Sequence, residues 1–155
     1  MQDTKYSIES ISVRFGLLTT VGLLAYFLIM KFVGLVHIVE LRTLNFLVLV
    51  IGIYKALKAF QKNNEQPMGY LQGWGIGCLT SSVAVLPFAL FIFIYLQLDP
   101  ALMEYIRNRD EFGRFLNPYM LAFVIAFEGI VSGLVLTFIL LQWMMKSHLK
   151  GGGLR

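Results

Sequence analysis

Residues 69–87 read GYLQGWGIGCLTSSVAVLP, and this segment decides the fold that we expect for the chain. Small residues recur in it at a strict interval of four, at Gly69, Gly73, Gly77 and Ser81. Residues i and i+4 share one face of an α-helix, so these positions predict a smooth groove along a helix. Small residues at this spacing let a second helix backbone approach closely, which drives helix association inside a membrane.

The composition places this segment in lipid. Of the 155 residues, 57% are hydrophobic and 14% charged, against roughly 45–50% and about 25% in soluble domains. About 20 apolar residues span the hydrocarbon core as a helix, and the sequence predicts four such helices at residues 13–38, 43–60, 69–98 and 118–146. The runs are continuous and lack the alternation of a membrane β-barrel. We therefore expect an all-α integral membrane four-helix bundle, with residues 1–155 as a single transmembrane domain.

Basic residues predict the orientation of the bundle. Eight of the 13 Lys and Arg residues lie on the side of the two termini and of the connection between the second and third helices. Cytoplasmic loops carry the excess of such residues, so both termini are predicted to be cytoplasmic. The net charge of +4 then reflects membrane orientation. The sequence has no basic patch interleaved with aromatic residues, and we expect no nucleic-acid partner.

The connection between the third and fourth helices predicts a further short element. Asp99 followed by Pro100 is typical of a helix start. Leu102, Tyr105 and Ile106 then share one face, which indicates a short amphipathic helix on the outer leaflet or over the bundle. A solvated linker with a helical turn is the alternative at this point.

The segment AFEGIVSG, residues 126–133, places Glu128 among apolar and small residues. Glu128 lies ten residues into the fourth helix, about 15 Å deep at 1.5 Å per residue. The same arithmetic places Thr80, Ser81 and Ser82 of the third helix at a matching depth of about 12–15 Å. Gly129 beside the acid predicts that the third helix comes close enough for a hydrogen bond. The sequence thus predicts an intramembrane polar site that contains Glu128 and these three hydroxyls.

Two interpretations of Glu128 stay open. A protonated carboxyl that donates to a hydroxyl or carbonyl would pin two helices together, as interhelical polar contacts do in membranes. A proton- or cation-binding group on a transport route is the other interpretation, because ionisable residues inside membranes commonly mark such routes.

Gly129 and Gly133 extend the packing argument to the fourth helix. With Gly69, Gly73 and Gly77, they predict close packing of the third and fourth helices, or of two protomers. A groove for a substrate or an ion is the alternative. Pro87 removes a backbone donor within the third helix, and we expect neighbouring hydroxyls or water to satisfy the freed carbonyl groups, with Thr80, Ser81 and Ser82 as the candidate hydroxyls.

Motifs for catalysis and for metal binding are missing from the sequence. It contains one cysteine, Cys78, and a lone histidine near the second helix, His37, so neither a disulfide nor a metal site is expected. We find no phosphate-binding loop, zinc spacing or paired nucleophile and base. The expectation is therefore a protein that is not an enzyme and has no cofactor.

Three stretches carry a resemblance to a known family. They are RFGLLTTVGLL from residue 14, FQKNNEQPMGYLQGWGIGCLTSSVAVL from residue 60, and YLQLDPALMEY from residue 95. Over residues 14–145 the chain resembles an uncharacterised bacterial family of four-helix membrane proteins, a domain of unknown function. The resemblance implies a multi-pass protein of the bacterial inner membrane, and it implies no activity and no functional residues.

The sequence leads to two functional expectations. The first is a non-enzymatic small integral membrane protein, a structural or accessory subunit that packs through its glycine-lined helix. The alternative is a small proton-coupled transporter or channel that works as a homo-oligomer, with Glu128 as the proton or cation site. The expected partners are the lipid bilayer and either further copies of the chain or a larger membrane complex.

Overall fold

A computed structural model describes residues 7–34, 43–64, 68–109 and 115–151. These ranges form five α-helices and no strand: α1 (Ile8–Phe32), α2 (Thr43–Asn63), α3 (Tyr70–Leu98), α4 (Pro100–Arg109) and α5 (Pro118–Gly151). Four of them, α1, α2, α3 and α5, are long and apolar enough to cross a membrane. The prediction of an all-α membrane protein with four long helices and a short helix before the last one is confirmed.

The first helix has different ends from those that the apolar run predicts. It begins at Ile8 rather than residue 13 because the Ser7 hydroxyl caps it, accepting a hydrogen bond from the Glu9 N–H at 3.2 Å. It ends at Phe32 because Gly34 takes a φ of +73°, and its N–H donates to the Lys31 carbonyl at 3.0 Å. A glycine in this left-handed conformation is a common helix stop. His37 lies outside the described residues.

Helix α3 is the centre of the bundle and contacts α1, α2, α4 and α5. Its side chains enter two apolar clusters on the way through the membrane. The first cluster includes the fully buried Ile53, Leu57, Ile76 and Leu141. The second lies near the other end of α3 and is built from Leu23, Phe88, Ile92, Leu96, Met103 and Leu121.

The short helix α4 lies against the bundle and belongs to the second cluster. Asp99 caps it, since its Oδ1 accepts a hydrogen bond from the Leu102 N–H at 3.3 Å. Met103 is buried, and Leu102 and Ile106 pack beside it. Tyr105, which the sequence places on the same face, is instead 39% exposed. The buried face of α4 is therefore centred on Met103 and not on Tyr105.

A polar cluster joins α1 to the junction of α3 and α4. The Lys31 ammonium lies 4.3 Å from the centre of the Tyr95 ring and 3.8 Å from Asp99 Oδ2. The Tyr95 hydroxyl donates to the same carboxylate at 2.9 Å. This hydrogen bond, the Leu102 N–H and the nearby Lys31 charge hold the pKa of Asp99 below its ordinary value. Asp99 therefore stays charged while it caps α4.

Helix α3 continues through Pro87 with help from α1. Proline has no N–H, so the carbonyl four residues earlier, at Val83, loses its helical partner. The Thr20 hydroxyl on α1 shares its one proton among three acceptors: the Gly16 oxygen of its own helix at 3.1 Å, the Val83 oxygen at 3.2 Å and the Ala84 oxygen at 3.3 Å. The sequence predicts that hydroxyls of the same helix fill this role, whereas the structure places a donor from a neighbouring helix there.

This arrangement predicts a specific coupling between two substitutions. Replacing Thr20 with Val keeps the shape but removes the donor, and we expect the free energy of unfolding to fall by about 1 kcal/mol. In a Pro87→Ala background, residue 87 regains an N–H for Val83, so the cost of Thr20→Val should shrink. Denaturant unfolding in detergent micelles measures all four proteins as a double-mutant cycle.

Thr137→Val is the matched control, because the Thr137 hydroxyl donates within its own helix to the Gly133 oxygen at 2.7 Å. Its cost should be the same whether or not the Pro87→Ala substitution is present. Strictly additive effects of Thr20→Val and Pro87→Ala would contradict the role assigned to Thr20.

Candidate intramembrane polar site

Helices α3 and α5 interlock through residues spaced four apart. A Cβ added at Gly73 would collide with Leu141, and one added at Gly77 would collide with Thr137. Further along, a Cβ at Gly133 would collide with Ser81. Moving four residues forward along α3 therefore moves the contact four residues backward along α5, as expected for antiparallel helices.

The next step completes the interlock. A Cβ at Gly129 would lie 2.6 Å from Val85 Cγ1. Helix α3 therefore supplies the glycine at the first two contacts, and α5 supplies it at the next two. Gly69 lies outside this contact and serves as the N-cap of α3, where its N–H donates to the Gln72 side-chain oxygen at 3.0 Å.

The opposite side of α3 packs as closely on α1. A Cβ at Gly16 would lie 2.7 Å from Val83 Cβ and 3.1 Å from the Thr80 oxygen. The Ser12 hydroxyl donates to the Ile76 oxygen at 3.4 Å. The sequence reasoning missed this contact, although Ser12, Gly16 and Thr20 are themselves small residues at an interval of four.

The three hydroxyls predicted to meet Glu128 lie within the α1–α3–α5 core or beside it. Thr80 and Ser81 are fully buried, and Ser82 is half-buried. Ser81 faces Gly133 and donates to the Cys78 oxygen at 3.0 Å. The Thr80 hydroxyl is buried and has no hydrogen-bond partner in the described part of the chain.

Glu128 lies at the surface of the bundle, whereas the sequence predicts it inside. Its position is exposed in the isolated chain, as is that of its neighbour Phe127 at 62%. The residue of α3 opposite Gly129 is Val85, four residues beyond Ser81 and about 6 Å further along the helix. The glycines set the contact register between α3 and α5, and the depth arithmetic did not include this register.

The structure brings Glu128 together with two other polar residues. A cavity of about 80 Å³ opens between α2 and α5, and Asn45, Glu128 and Ser132 contribute its polar lining. Apolar residues of all four long helices and one glycine complete the walls: Leu23, Phe46, Leu49, Val85, Phe88, Ile125 and Gly129. None of the three predicted hydroxyls lines this cavity.

Asn45 is the functional candidate that the sequence reasoning missed. Its Oδ1 atom is buried and accepts no hydrogen bond from the described residues. A buried acceptor left unpaired costs about 1–3 kcal/mol, so such an atom marks a place where a donor is missing. The available signal was an amide at the third position of α2, within the otherwise apolar stretch LNFLVLVIG from residue 44.

The cavity lies beside close helix contacts that involve α1 and α3. Helix α2 is held against α1, since a Cβ at Gly52 would collide with Thr19 and one at Gly22 would lie 3.0 Å from Val48 Cγ1. On α5, Gly129 and Gly133 both lie against α3. Between α2 and α5 the described contacts are made by larger side chains, including Tyr54 and Trp143, whose ring centres lie 6.2 Å apart.

The positive charges that the structure describes in side-chain contacts lie away from this cavity. Lys31 is engaged with Tyr95 and Asp99, and the Lys58 ammonium lies 5.6 Å from the Tyr54 ring centre. Among the described residues no basic side chain lines the cavity, and no group of three or more His, Cys, Asp or Glu residues could hold a metal ion. The polar lining of the cavity therefore consists of one amide, one carboxyl and one hydroxyl group.

Comparison with known proteins identifies one family. Residues 14–146 match the model of a family described as "Protein of unknown function (DUF4199)". No curated protein and no solved structure matches the chain.

The interlock predicts opposite results at two neighbouring glycines. Gly77→Ala should lower the free energy of unfolding by about 1–3 kcal/mol, because the new methyl group meets the fully buried Thr137. Gly75→Ala is the matched control: a Cβ there meets nothing within 4 Å, and alanine favours a helix over glycine by up to ~1 kcal/mol. Thermal unfolding in detergent micelles compares them, and equal effects would show that α3 and α5 do not pack as described.

Proposed function

The chain belongs to this family of unknown function, and we propose that it is a non-enzymatic integral membrane protein that acts as a structural or accessory subunit. The observation that supports this proposal is the close packing of α3 against α5 on one side and against α1 on the other. Close packing through small residues gives a rigid core inside lipid. The glycine-lined face is used within the chain, so a partner would bind elsewhere.

The outward face of α5 is the surface that supports a partner. Phe123 and Phe127 stack there with ring centres 6.3 Å apart and are 69% and 62% exposed. Glu128 lies next to them on the same helix. A carboxyl near the middle of a membrane is costly against lipid, and a second protein surface would cover it.

The proposal includes an orientation and a location, both supported by the sequence. The excess of Lys and Arg on one side supports cytoplasmic termini. The resemblance noted for residues 14–145 supports the inner membrane of a bacterium. In that orientation α4 and the cluster of Lys31, Tyr95 and Asp99 face the extracytoplasmic side.

A second candidate function is a small proton-coupled transporter or channel. The cavity that reaches Glu128 favours it, because transporters place ionisable groups in cavities near the membrane midplane. Four helices leave little room for a route through one protomer, so this function requires a homo-oligomer with α5 or α2 at its interface.

One experiment separates the two functions. The chain is extracted from its native membrane into lipid nanodiscs, and the chains in each particle are weighed and identified. An accessory subunit retains a different protein at a fixed stoichiometry, and Phe123→Ala with Phe127→Ala releases that protein without changing the melting temperature. Phe32→Ala, at a position that is 90% exposed on α1, is the control and should keep it.

The purified chain is then placed alone in liposomes with a pH-sensitive dye inside. A structural subunit carries no protons across the membrane. Particles that contain only this chain, together with a pH-driven flux that Glu128→Gln abolishes, would overturn the structural role and establish the transporter.

A further inference from the structure

We propose that α2 binds an anionic phospholipid along its exposed face, with the lipid phosphate held by Lys55, Lys58 and Lys62. This inference goes beyond the proposed function, because it concerns a contact of the chain with lipid and requires no protein partner. Three observations carry it: the order of residues along the face, the aromatic rings beside the lysines, and the charge of the lysines.

The exposed face of α2 is apolar in its first half and basic in its second half. Its exposed residues follow one another at intervals of three or four and therefore share one side of the helix: Leu44, Leu47, Ile51, Lys55, Lys58 and Lys62. The opposite side of α2 is packed in the bundle, where Ile53, Ala56 and Leu57 are fully buried. This face is thus directed at the surrounding lipid.

The spacing along the face matches one leaflet of a bilayer. Lys58 follows Leu47 by eleven residues, which corresponds to about 16 Å along the helix. The hydrocarbon of one leaflet is about 15 Å thick, half of the whole core. An acyl chain that lies against Leu47 and Ile51 therefore brings its phosphate to the level of Lys58. The flexible stems of Lys55 and Lys62 let their ammonium groups approach the same level.

Aromatic rings mark the headgroup level beside the lysines. The Lys58 ammonium lies 5.6 Å from the Tyr54 ring centre, and that centre lies 6.2 Å from the ring centre of Trp143 on α5. Trp143 is 63% exposed. Tyr and Trp are enriched where a membrane meets water, so this end of α2 belongs to the interface. In the predicted orientation it meets the cytoplasmic leaflet, where anionic lipids give a negative surface potential.

The charge of the lysines identifies the ligand as an anion. At the other end of the bundle the Lys31 ammonium has Asp99 beside it. No acidic side chain in the described ranges forms an ion pair with the three lysines of α2. Their positive charges are spread over about 10 Å of helix. A phospholipid phosphate supplies the negative charge, and its acyl chains fit the apolar half of the same face.

Tryptophan fluorescence measures lipid binding at this face. The chain has two tryptophans, and Trp74→Phe leaves Trp143 as the reporter beside the lysines. In liposomes, a lipid with brominated acyl chains quenches an indole that it contacts, so mixtures of brominated phosphatidylglycerol and unbrominated phosphatidylcholine give a relative binding constant. We expect phosphatidylglycerol to be preferred about tenfold or more, because each basic residue near anionic lipid contributes about fivefold. Lys58→Gln should lower the constant by about that fivefold.

Further variants isolate the effect of charge on this face. Replacing all three lysines with Gln should bring the relative binding constant close to one, and replacing all three with Arg should keep the preference. Arg107→Gln is the matched control, because Arg107 is exposed on α4, beyond the far end of α3, and its loss also removes one positive charge. It should leave the constant unchanged. Lys58→Gln and the Arg variant keep the test decisive if the triple Gln variant does not fold.

Three results would overturn the proposal. An unchanged preference in Lys58→Gln would show that anionic lipid binds elsewhere. An equal loss in Arg107→Gln would show a general attraction between net charge and membrane. A chain without lipid preference, whose lysines instead retain an acidic protein in native nanodiscs, would show a protein partner on this face. The proposed subunit role has its own test, because that test depends on Phe123 and Phe127 of α5.

Discussion

Close backbone approach along both sides of α3 is the constraint on which the rest of the structure depends. Helices in lipid gain no hydrophobic free energy by meeting one another, so van der Waals contact and hydrogen bonds must hold them. Glycine at Gly73, Gly77, Gly129 and Gly133 provides that contact with α5. Gly16 provides it with α1 and brings the Thr20 hydroxyl to the carbonyl that Pro87 leaves unpaired. The proline is thus accommodated by the same close packing.

The same constraint explains where the polar site lies. Gly129 and Gly133 place one side of α5 against α3. The adjacent side of α5, which carries Glu128 and Ser132, then lines the cavity beside α2. Helix α2 is held by α1 at Gly52, and Asn45 enters the cavity from that side. The same arrangement of small residues therefore determines both the close packing around α3 and the position of the cavity.

The sequence predicts the helices well because lipid leaves the backbone few alternatives. It also predicts close packing at Gly77 and Gly133, since spacing of four is a property of a single helix. The partner of Glu128 depends on the register between helices, and no local pattern contains that register. Depth arithmetic places Thr80, Ser81 and Ser82 level with Glu128, and in the structure Ser81 packs against Gly133. Ser7 and Gly34 changed the ends of α1 because capping acts on polar residues that a hydropathy pattern ignores.

Cysteine cross-linking in the native membrane tests the α3–α5 register most directly. A Cβ at Gly129 would lie 3.3 Å from Val85 Cβ, near the roughly 3.8 Å of a disulfide. In a Cys78→Ala background, Val85→Cys with Gly129→Cys should therefore cross-link rapidly within one chain under mild oxidation. Leu86→Cys with Gly129→Cys should not, because Leu86 is 53% exposed and faces away. Equal cross-linking of both pairs, or cross-links only between chains, would contradict the interlock.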